Sequence, residues 1–303
     1  MIEIAVVGGG PAGLTAALYA ARAGRSVTVF EGNSFGGQIT QSPLVENYPG
    51  LGNISGMELG DRMYVQAEQA GATLSFSGVE AIQKSATGTF LLTTEDGIEE
   101  ALSVIYAAGA APRHLELPGE EALVGRGISY CALCDGAFFA NQDVAVAGGG
   151  NTALEDALYL SERCRSVTLI HRRNTFRAES ALVERAKATG NLTIVTQAQI
   201  TALLAQDGNL NGLLLQKQDG TAKTLAVSGL FVAFGRVPDT APLSGLATRD
   251  EQGYVLTDDQ MQTLTPGLFA AGDCRHKQIR QLTTAVSDGT VAAISACRYL
   301  GNR

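Results

Sequence analysis

The sequence stretch that decides the fold is IAVVGGGPAG, at residues 4–13. It begins as a short run of apolar, partly β-branched residues, which predicts a buried strand. Three glycines at the spacing G-x-G-x-x-G follow at once, and residues 14–23 then have the composition of a helix. A second apolar run, at 27–31, ends in the acid Glu31. This order of strand, glycine turn, helix and strand predicts a dinucleotide-binding βαβ unit.

Each glycine of the turn has a physical role in such a unit. Gly8 permits the tight turn, Gly10 lets the backbone approach a pyrophosphate, and Gly13 lets the helix pack closely on the strand. The N-terminus of the helix presents unpaired backbone N–H groups to the phosphates. Glu31 is then placed to accept hydrogen bonds from a ribose 2′-hydroxyl.

The same unit occurs a second time in the chain. Residues 144–153 read VAVAGGGNTA, a helical stretch follows at 154–163, and a second strand is predicted at 167–170. The tetrapeptide RSVT stands at both 25–28 and 165–168. A single G-x-G-x-x-G is a weak signal, because glycine-rich turns also occur without a ligand, but two aligned copies are a strong one. We therefore predict an α/β protein with two Rossmann-like dinucleotide-binding domains.

The two copies differ in the charge that follows their second strand. The first has Glu31, whereas the second has His171-Arg172-Arg173, with Arg177 four residues beyond. A carboxylate would repel a 2′-phosphate, whereas guanidinium groups bind one through charge-assisted, often bidentate hydrogen bonds. The alternative interpretation of the arginine pair is a solvated helix start, and its place after a dinucleotide turn favours binding. We predict NADPH in the second unit and the ADP part of FAD in the first.

Two further segments are predicted to complete the flavin site. The sequence GGQ at 36–38 lies in a flexible loop, where the backbone can approach the rest of the flavin. Near the C-terminal end, a buried strand within 267–273 ends in Asp273, whose carboxylate is placed to accept a hydrogen bond from a ribityl hydroxyl. A helix N-cap is the alternative role for Asp273, and both roles are compatible. Residues 280–281, Arg-Gln, come next, before a helix of small residues at 284–299.

The five cysteines, at 131, 134, 164, 274 and 297, are too few and too scattered for a disulfide scaffold. Zinc is the alternative to a redox function for the one close pair. A structural zinc site needs four nitrogen or sulfur ligands, usually as two spaced pairs. This chain has one C-x-x-C, and its histidines stand singly at 114, 171 and 276. We therefore predict a redox-active pair and no metal site.

The close pair lies in the sequence CALCDG, just before the second nucleotide unit. A two-residue spacer lets the sulfurs of Cys131 and Cys134 close a disulfide with little strain, and leaves one thiolate accessible. Asp135 follows directly, where it can transfer a proton during thiol–disulfide exchange. Between a predicted flavin unit and a predicted NADPH unit, the pair supplies the missing step of an electron path.

Charge and hydropathy limit the partners and the compartment. The chain of 303 residues has 22 Lys and Arg against 30 Asp and Glu, a net charge of −8, which argues against nucleic acid or an anionic membrane as the main partner. No apolar run approaches the roughly 18 residues that span a bilayer. Met1-Ile2-Glu3 leads directly into a strand without a signal-peptide pattern, so we expect a cytoplasmic protein.

Over essentially its full length the chain resembles the low-molecular-weight thioredoxin reductases. The resemblance is carried by GGGPAG, GGQ, ENYPG at 46–50, CALCDG, GGGNTA, HRRNTFRA at 171–178, GLFAAGD and the RQ at 280–281. It implies FAD bound by the outer segments, NADPH bound by an inserted domain, a homodimer, and thioredoxin or a thioredoxin-like protein as the partner. It also implies that Cys134 faces the flavin and that Cys131 attacks the substrate.

The resemblance carries over a set of binding residues for each cofactor. The flavin set is Gly8, Gly10, Pro11, Ala12, Gly13, Glu31, Gly36, Gly37, Gln38, Asn47, Val79, Ala108, Gly109, Gly272, Asp273, Arg280 and Gln281. The NADPH set is Gly148, Gly150, Asn151, Thr152, Ala153, His171, Arg172, Arg173 and Arg177. The expected domains are a discontinuous FAD-binding domain, residues 1–113 and 239–303, and an NADPH-binding domain, residues 114–238, which also carries the cysteine pair.

Two positions depart from the usual family pattern. Ala107-Ala108-Gly109 stands where Ala-Thr-Gly is common, and Cys274 stands where an aliphatic residue is usual. Two other functions stay open at this point. One is a related flavoprotein that reduces a different disulfide acceptor, and the other is a flavin-binding redox sensor with little turnover. The intact cysteine pair and Asp135 argue against the sensor.

Overall fold

The computed structural model describes residues 1–301. Strands β1 to β17 span, in chain order, Ile2–Val7, Val27–Phe30, Thr73–Ser75, Val79–Lys84, Phe90–Thr94, Gly97–Tyr106, Ala110–Pro112, Ile128–Ser129, Asp143–Ala147, Ser166–His171, Leu192–Thr196, Ala198–Gln206, Asn209–Lys217, Ala222–Leu225, Gly229–Val232, Arg236–Pro238 and Leu268–Ala270. Helices α1 to α7 span Pro11–Arg22, Gly56–Gln69, Glu120–Leu123, Ala132–Asp135, Asn151–Ser161, Ser180–Ala188 and Leu282–Gly301.

The chain divides into two compact units, one of them discontinuous. The first unit consists of residues 1–111 and 237–303, and the second consists of residues 112–236. The domain boundaries predicted from the sequence, after residues 113 and 238, each lie two residues later than those of the structure. The reason for the difference is that the two crossings, β7 and β16, form a two-stranded sheet with each other, so the chain changes unit within these strands.

The first unit is built on a seven-stranded sheet in the order β3-β2-β1-β6-β5-β4, with β17 also paired to β6. Strands β3, β2, β1, β6 and β17 pair in parallel, whereas β4, β5 and β6 pair antiparallel. The central strands have apolar residues on both faces, as expected for a sheet that is covered on both sides. The predicted glycine turn joins β1, the middle strand of the parallel part, to α1.

Helices α1 and α7 pack against each other over this sheet. Their contact is lined by small buried residues: Ala16, Ala17 and Ala20 on α1, and Ala292, Ala293 and Ala296 on α7. At Gly289 the helices approach so closely that a Cβ atom would overlap the backbone carbonyl of Ala12. The close packing fixes α7, and with it the preceding segment that contains Asp273, next to the start of α1.

The second unit repeats the plan with a five-stranded parallel sheet in the order β11-β10-β9-β15-β8. Helices α5 and α6 pack against each other on this unit, and β12, β13 and β14 form a separate antiparallel sheet. The predicted class, α/β with two Rossmann-like domains, is thereby confirmed. Within the described residues, no helix combines the length and the apolar character needed to cross a membrane.

Candidate functional site

The first glycine turn has the backbone conformation that its sequence predicts. Gly8 has φ +104°, and a Cβ on it would lie 2.5 Å from the carbonyl oxygen of Ala107 and 2.9 Å from Cα of Ala108. Gly13 packs against the Gly8 carbonyl with no room for a side chain. Any other residue at Gly8 or Gly13 would push the turn away from the sheet, so both glycines are structurally required.

Helix α1 begins at Pro11 directly behind this turn. Its N-cap is Gly10, which has no capping side chain, so the first N–H groups of the helix are left for a ligand. The Glu31 carboxylate accepts hydrogen bonds from the N–H groups of Gly9, at 2.7 Å, and Asn33, at 2.8 Å. These bonds hold the acid at the end of β2 beside the turn and leave lone pairs for a ribose hydroxyl.

The loop at 36–38 lies against the same turn. Gly36 donates its N–H to the Gly9 carbonyl at 2.8 Å, and a Cβ on Gly37 would lie 3.1 Å from Cα of Gly10. Both Gly36 and Gly37 have positive φ, 94° and 58°. Beyond them the Gln38 amide donates to the Ala110 carbonyl at 2.7 Å. Thus the loop packs against the glycine turn before α1 and is bonded to the start of β7.

The C-terminal members of the flavin set lie in the segment that precedes α7. A Cβ on Gly272, which has φ +77°, would lie 2.9 Å from Cβ of Ala12. The Asn47 amide lies 3.4 Å from the Gln281 side-chain oxygen, and the Arg280 guanidinium lies 4.0 Å from the centre of the Tyr254 ring.

Two further members of the flavin set, Val79 and Gly109, belong to the first unit. Val79, the first residue of β4, comes just after the close approach of Gly78 to Gly32 at the end of β2. Gly109, with φ +73°, lies between β6 and β7, and a Cβ on it would lie 4.0 Å from the Gln38 amide nitrogen. Gly109 therefore lies beside the loop at 36–38, whereas Val79 lies beside the segment that follows β2.

In the second unit the glycine turn opens α5 in the same way. A Cβ on Gly148 would lie 2.6 Å from Cβ of Ala153 and 2.7 Å from the carbonyl oxygen of Ala233, so this glycine is confined on two sides. Gly150 is the N-cap of α5, and nothing lies within 4 Å of a Cβ built on it. The glycine turn therefore packs tightly at Gly148, whereas the space beside Gly150, at the N-terminus of α5, is open.

Asn151 and Thr152 begin α5 directly after this turn. Asn151 exchanges two hydrogen bonds with Glu179, at 3.1 and 2.9 Å, while Thr152 is exposed. Glu179 is the N-cap residue of α6. These contacts join the glycine turn to the start of α6.

The arginine loop, residues 172–178, follows β10. The His171 ring at its start is buried under Gly149, stacks on Phe176 at 5.1 Å, and has Nε2 at 3.1 Å from the Thr175 carbonyl. Burial lowers the pKa of this imidazole. His171 therefore shapes the loop, whose guanidinium groups are its exposed part. Within residues 1–301 none of the three guanidinium groups, of Arg172, Arg173 and Arg177, forms an ion pair.

The redox loop is a short helical turn, α4, that follows β8. A disulfide joins Cys131 and Cys134, with their Cα atoms 5.3 Å apart. Cys131 is the N-cap of α4, and its sulfur accepts a hydrogen bond from the Cys134 N–H at 3.2 Å. Cys131 is half-buried, whereas Cys134 is exposed. Burial raises the pKa of Asp135, and the Ser129 hydroxyl, which donates to it at 2.6 Å, opposes that rise.

Comparison with known proteins agrees with this geometry. Residues 2–289 match the family described as pyridine nucleotide-disulphide oxidoreductases. The chain is 43% identical over 304 residues to the thioredoxin reductase of Mycolicibacterium smegmatis, covering 99% of this chain and 97% of that protein. The crystal structure of thioredoxin reductase from Streptococcus pyogenes MGAS5005 superimposes with a TM-score of 0.96 at 40% identity, covering 100% of this chain and 99% of that one. The chain belongs to the thioredoxin reductases.

A longer relative has a different organisation. The bifunctional thioredoxin reductase/thioredoxin of Mycobacterium leprae is 44% identical over 301 residues, which are 98% of this chain. This thioredoxin reductase chain spans 66% of the length of that relative.

Thioredoxin reductases use FAD and NADPH, and both units fit these cofactors. Around Gly10 the nearest atom to an added Cβ is Cα of Gly37, 4.0 Å away, so the α1 N-terminus faces an open cradle. Oδ1 of Asp273 is buried and accepts no hydrogen bond from any residue between 1 and 301, although the Lys277 ammonium lies 3.5 Å away. A buried carboxylate oxygen requires a donor, and a flavin ribityl hydroxyl would supply one.

The second unit fits a dinucleotide with a 2′-phosphate. Space around Gly150 leaves the α5 N-terminus open to a pyrophosphate. On the neighbouring loop lie three guanidinium groups that have no carboxylate partner in the described part of the chain. Among the described residues, no group of three or more His, Cys, Asp or Glu side chains is arranged to hold a metal.

Cys274, the unusual residue of this thioredoxin reductase, is not a third redox thiol. Its side chain is fully buried, and its thiol lies 3.3 Å from the Ala271 carbonyl and 3.5 Å from the Tyr106 carbonyl. Burial raises the pKa of the thiol to about 12, so the reactive thiolate form is absent near neutral pH. Cys274 acts as a small core residue.

Sequence reasoning missed the polar groups that support the redox loop. Ser129 binds Asp135, and the hydroxyl of Tyr130 donates to the buried carboxylate of Glu120 at 2.7 Å and lies 2.8 Å from Nδ1 of His114. Glu120 also accepts the N–H groups of residues 115–117. These residue types carry no motif, and the only available signal was that Ser129 and Tyr130 directly precede Cys131.

Proposed function

We propose that this protein transfers electrons from NADPH, through FAD and the Cys131–Cys134 disulfide, to the disulfide of thioredoxin or a thioredoxin-like protein. The observation that carries the proposal is the disulfide, closed within a helical turn beside a half-buried acid, Asp135. It lies in a chain with two dinucleotide turns of opposite charge preference, one with Glu31 and one with Arg172 and Arg173.

The cofactors are assigned to the two units by their residues. The flavin set would hold FAD, with the α1 N-terminus at the pyrophosphate, Glu31 at the adenosine ribose and Asp273 at the ribityl chain. The NADPH set would hold NADPH, with Arg172 and Arg173 at the 2′-phosphate. His171 would act indirectly, because its ring is buried under the loop. FAD held by the flavin set would supply the redox chemistry that links NADPH to the Cys131–Cys134 disulfide.

The thiol step then depends on residues of the redox loop. The Cys131 thiolate attacks one sulfur of the acceptor disulfide and forms a mixed disulfide, and the released acceptor sulfur takes a proton from the Asp135 carboxyl group. Asp135 next accepts the proton of the Cys134 thiol. The Cys134 thiolate attacks the Cys131 sulfur, closes the internal disulfide, and releases the second acceptor sulfur, which takes a proton from water. Two electrons have then passed to the acceptor.

The hydrogen bonding of α4 supports Cys131 as the attacking sulfur. Its sulfur accepts the Cys134 N–H at 3.2 Å at the start of α4. A hydrogen bond from a backbone N–H stabilises a thiolate more than a thiol, which favours Cys131 as the nucleophile. The raised pKa of Asp135, caused by burial, keeps part of this carboxyl protonated at a higher pH than an exposed aspartate and so available as an acid.

We further propose a homodimer, as the family resemblance implies, and a location in the cytoplasm. The three cysteines outside the redox pair, Cys164, Cys274 and Cys297, are free thiols, which suits a reducing compartment. Light scattering coupled to size exclusion tests the dimer, which requires a mass of twice 31.5 kDa for the apoprotein chain.

Alkylation followed by mass spectrometry tests the proposed function. The FAD-loaded protein is treated without oxygen with one equivalent of NADPH and then with N-ethylmaleimide. We expect Cys131 and Cys134 to gain the label only after NADPH, because the reagent cannot label a disulfide. Labelling that does not depend on NADPH, or a pair that stays unlabelled after NADPH, would contradict the proposal.

A further inference from the structure

Ser129, the last residue of β8, lies just before the redox loop, although no motif indicates it. Its side chain is buried, with 5% exposed. The hydroxyl lies 2.6 Å from Oδ2 of Asp135, accepts the Cys131 N–H at 3.0 Å, and lies 3.3 Å from the Cys131 carbonyl. A hydroxyl has one proton to donate. The Asp135 carboxylate is both the nearest and the strongest acceptor, so the Ser129 hydroxyl donates to it. Ser129 therefore connects the acid to the backbone of the attacking cysteine.

The strand that carries Ser129 is fixed to the sheet of its unit. Strand β8 pairs in parallel with β15, with Ile128 opposite Leu230 and Ser129 opposite Phe231. Ile128, Leu230 and Phe231 are all buried with at most 1% exposed. Ser129 is therefore the last rigid residue before the redox loop, and it can transmit the position of the sheet to both reacting groups.

We infer that Ser129 is a positioning residue for thiol–disulfide exchange: its hydroxyl holds the Asp135 carboxyl and the Cys131 backbone in one reactive arrangement. The inference rests on the proposed function and deepens it, because it assigns a further residue to the same site. Ser129 itself touches no acceptor atom in this assignment. It acts through Asp135 and through the peptide N–H of Cys131.

The effect of removing the hydroxyl has a definite direction. Burial raises the pKa of Asp135 and the Ser129 hydrogen bond opposes that rise, because it stabilises the ionised carboxylate. Helix α5 packs against α4 and carries the acids Glu155 and Asp156, but neither contributes to the shift of Asp135. Without the hydroxyl, the pKa of Asp135 moves further upward, and the pH dependence of the thiol step moves with it.

The test compares Ser129→Ala, Ser129→Thr and the control Ser161→Ala in the FAD-loaded protein. Ser161 is a partly buried serine of α5 whose hydroxyl donates to its own helix at the Leu158 carbonyl, 2.6 Å away. Steady-state disulfide reduction is measured across pH. The reduction of ferricyanide by NADPH, which needs FAD but no cysteine, is measured in parallel, and FAD content and thermal melting report folding.

For Ser129→Ala we expect the rate of disulfide turnover to fall about tenfold, because one hydrogen bond to a charged group is lost. We also expect the limb of its pH profile that reports Asp135 to move up by at least about half a pH unit. Ser129→Thr should restore both values, and Ser161→Ala and all ferricyanide rates should match the wild type.

Two results would overturn the inference. The first is a Ser129→Ala profile that coincides with the wild type or falls in amplitude without moving along the pH axis. The second is a Ser129→Thr protein that folds and binds FAD but behaves like Ser129→Ala. Failure of the proposed function is distinct: the wild type would then reduce ferricyanide and no disulfide, and the role of Ser129 would fall with it.

Discussion

Glu120 shows how much of the redox loop depends on single polar residues. Its side chain is 4% exposed, yet it is surrounded by donors: the N–H groups of Leu115, Glu116 and Leu117 and the hydroxyl of Tyr130. Burial alone raises the pKa of this carboxyl, but the hydrogen bonds outweigh burial and lower it. Glu120 thus joins residues 115–117, which follow the first domain crossing, to Tyr130, which precedes Cys131.

Replacing Glu120 by alanine should destabilise the protein strongly. Three N–H groups and one hydroxyl lose their acceptor at once, and these donors lie in partly buried contacts, which costs about 2–4 kcal/mol in the free energy of unfolding. Urea unfolding followed by circular dichroism measures this change. The neighbouring Glu121 is exposed, so Glu121→Ala is the matched control and should change stability by less than about 0.5 kcal/mol. Equal effects of the two variants would contradict the assignment.

The two sulfurs should be distinguishable by absorbance. If Cys134 faces the flavin, Cys131→Ser leaves an unpaired Cys134 thiolate beside oxidised FAD, and a long-wavelength charge-transfer band should appear. Cys134→Ser should lack the band, while both variants keep bound FAD and lose disulfide reduction. Absorbance spectra across pH measure the band. Its appearance in Cys134→Ser instead would reverse the roles of the two cysteines.

At the scale of residues, the sequence could predict the groups that carry chemistry but not the groups that support them. The spacing of Cys131 and Cys134 and the adjacent Asp135 were recognisable, because redox pairs have a local pattern. Ser129 and Glu120 were not, because their partners are set by the folding of β8 and α3 around the loop. Cys274 stood out as unusual, and only its burial showed that it is inert.

The glycine turns and the strands and helices next to them were predictable at the scale of elements. Helices predicted at 14–23 and 154–163 occur at Pro11–Arg22 and Asn151–Ser161, because the glycine turns mark their starts. The separate sheet of β12, β13 and β14 was not predicted, since its pairing has no comparable local signal. The asymmetry of charge between the two turns is the element-scale feature that we propose determines coenzyme choice.

The arginine loop should make the protein prefer NADPH over NADH by at least about a hundredfold in kcat/KM. Each charge-assisted hydrogen bond to the 2′-phosphate contributes about 1.5–3 kcal/mol, or roughly ten- to hundredfold. The double variant Arg172→Ala/Arg173→Ala should lose most of this preference by losing NADPH efficiency, with little change for NADH. Arg185→Ala, at an exposed arginine of α6, is the control. Equal rates with both coenzymes in the wild type would contradict the assignment.

Asp156 on α5 should make stability depend on pH. Burial, with a smaller contribution from the Glu155 charge, raises its pKa to about 7 in the folded protein, against a reference value of 3.8. Between pH 4 and 7 the folded state therefore keeps a proton that the unfolded state releases, so this group lowers stability as pH rises through that range. Below pH 4 both states are protonated and the group has no effect.

Asp156→Asn removes the ionisation and should raise the free energy of unfolding at pH 8 by roughly 1–2 kcal/mol, with little change near pH 4. Urea unfolding at several pH values measures the difference. Asp207→Asn, at an exposed aspartate of the same unit, should not alter the pH dependence. A stability gain that is the same at pH 4 and pH 8 would show that Asp156 is not the titrating group.

The whole molecule is one plan used twice and joined by two paired strands. Both units have a parallel sheet, a glycine turn at the end of a central strand and a helix that begins at that turn. The repetition in the sequence was sufficient to predict two domains, and the family resemblance implied the insertion of one in the other. It could not give the pairing of β7 with β16 at the crossings, since neither segment has a strand-like pattern of its own.

The central claim, that NADPH reduces an acceptor disulfide through Cys131 and Cys134, is tested most directly by steady-state NADPH oxidation with oxidised thioredoxins from the same genome. We expect at least one thioredoxin to accelerate oxidation with saturation kinetics, and Cys131→Ser and Cys134→Ser to abolish the acceleration while ferricyanide reduction continues. The claim would be contradicted if no thioredoxin accelerated NADPH oxidation in the FAD-loaded wild type, or if the acceleration persisted without either cysteine.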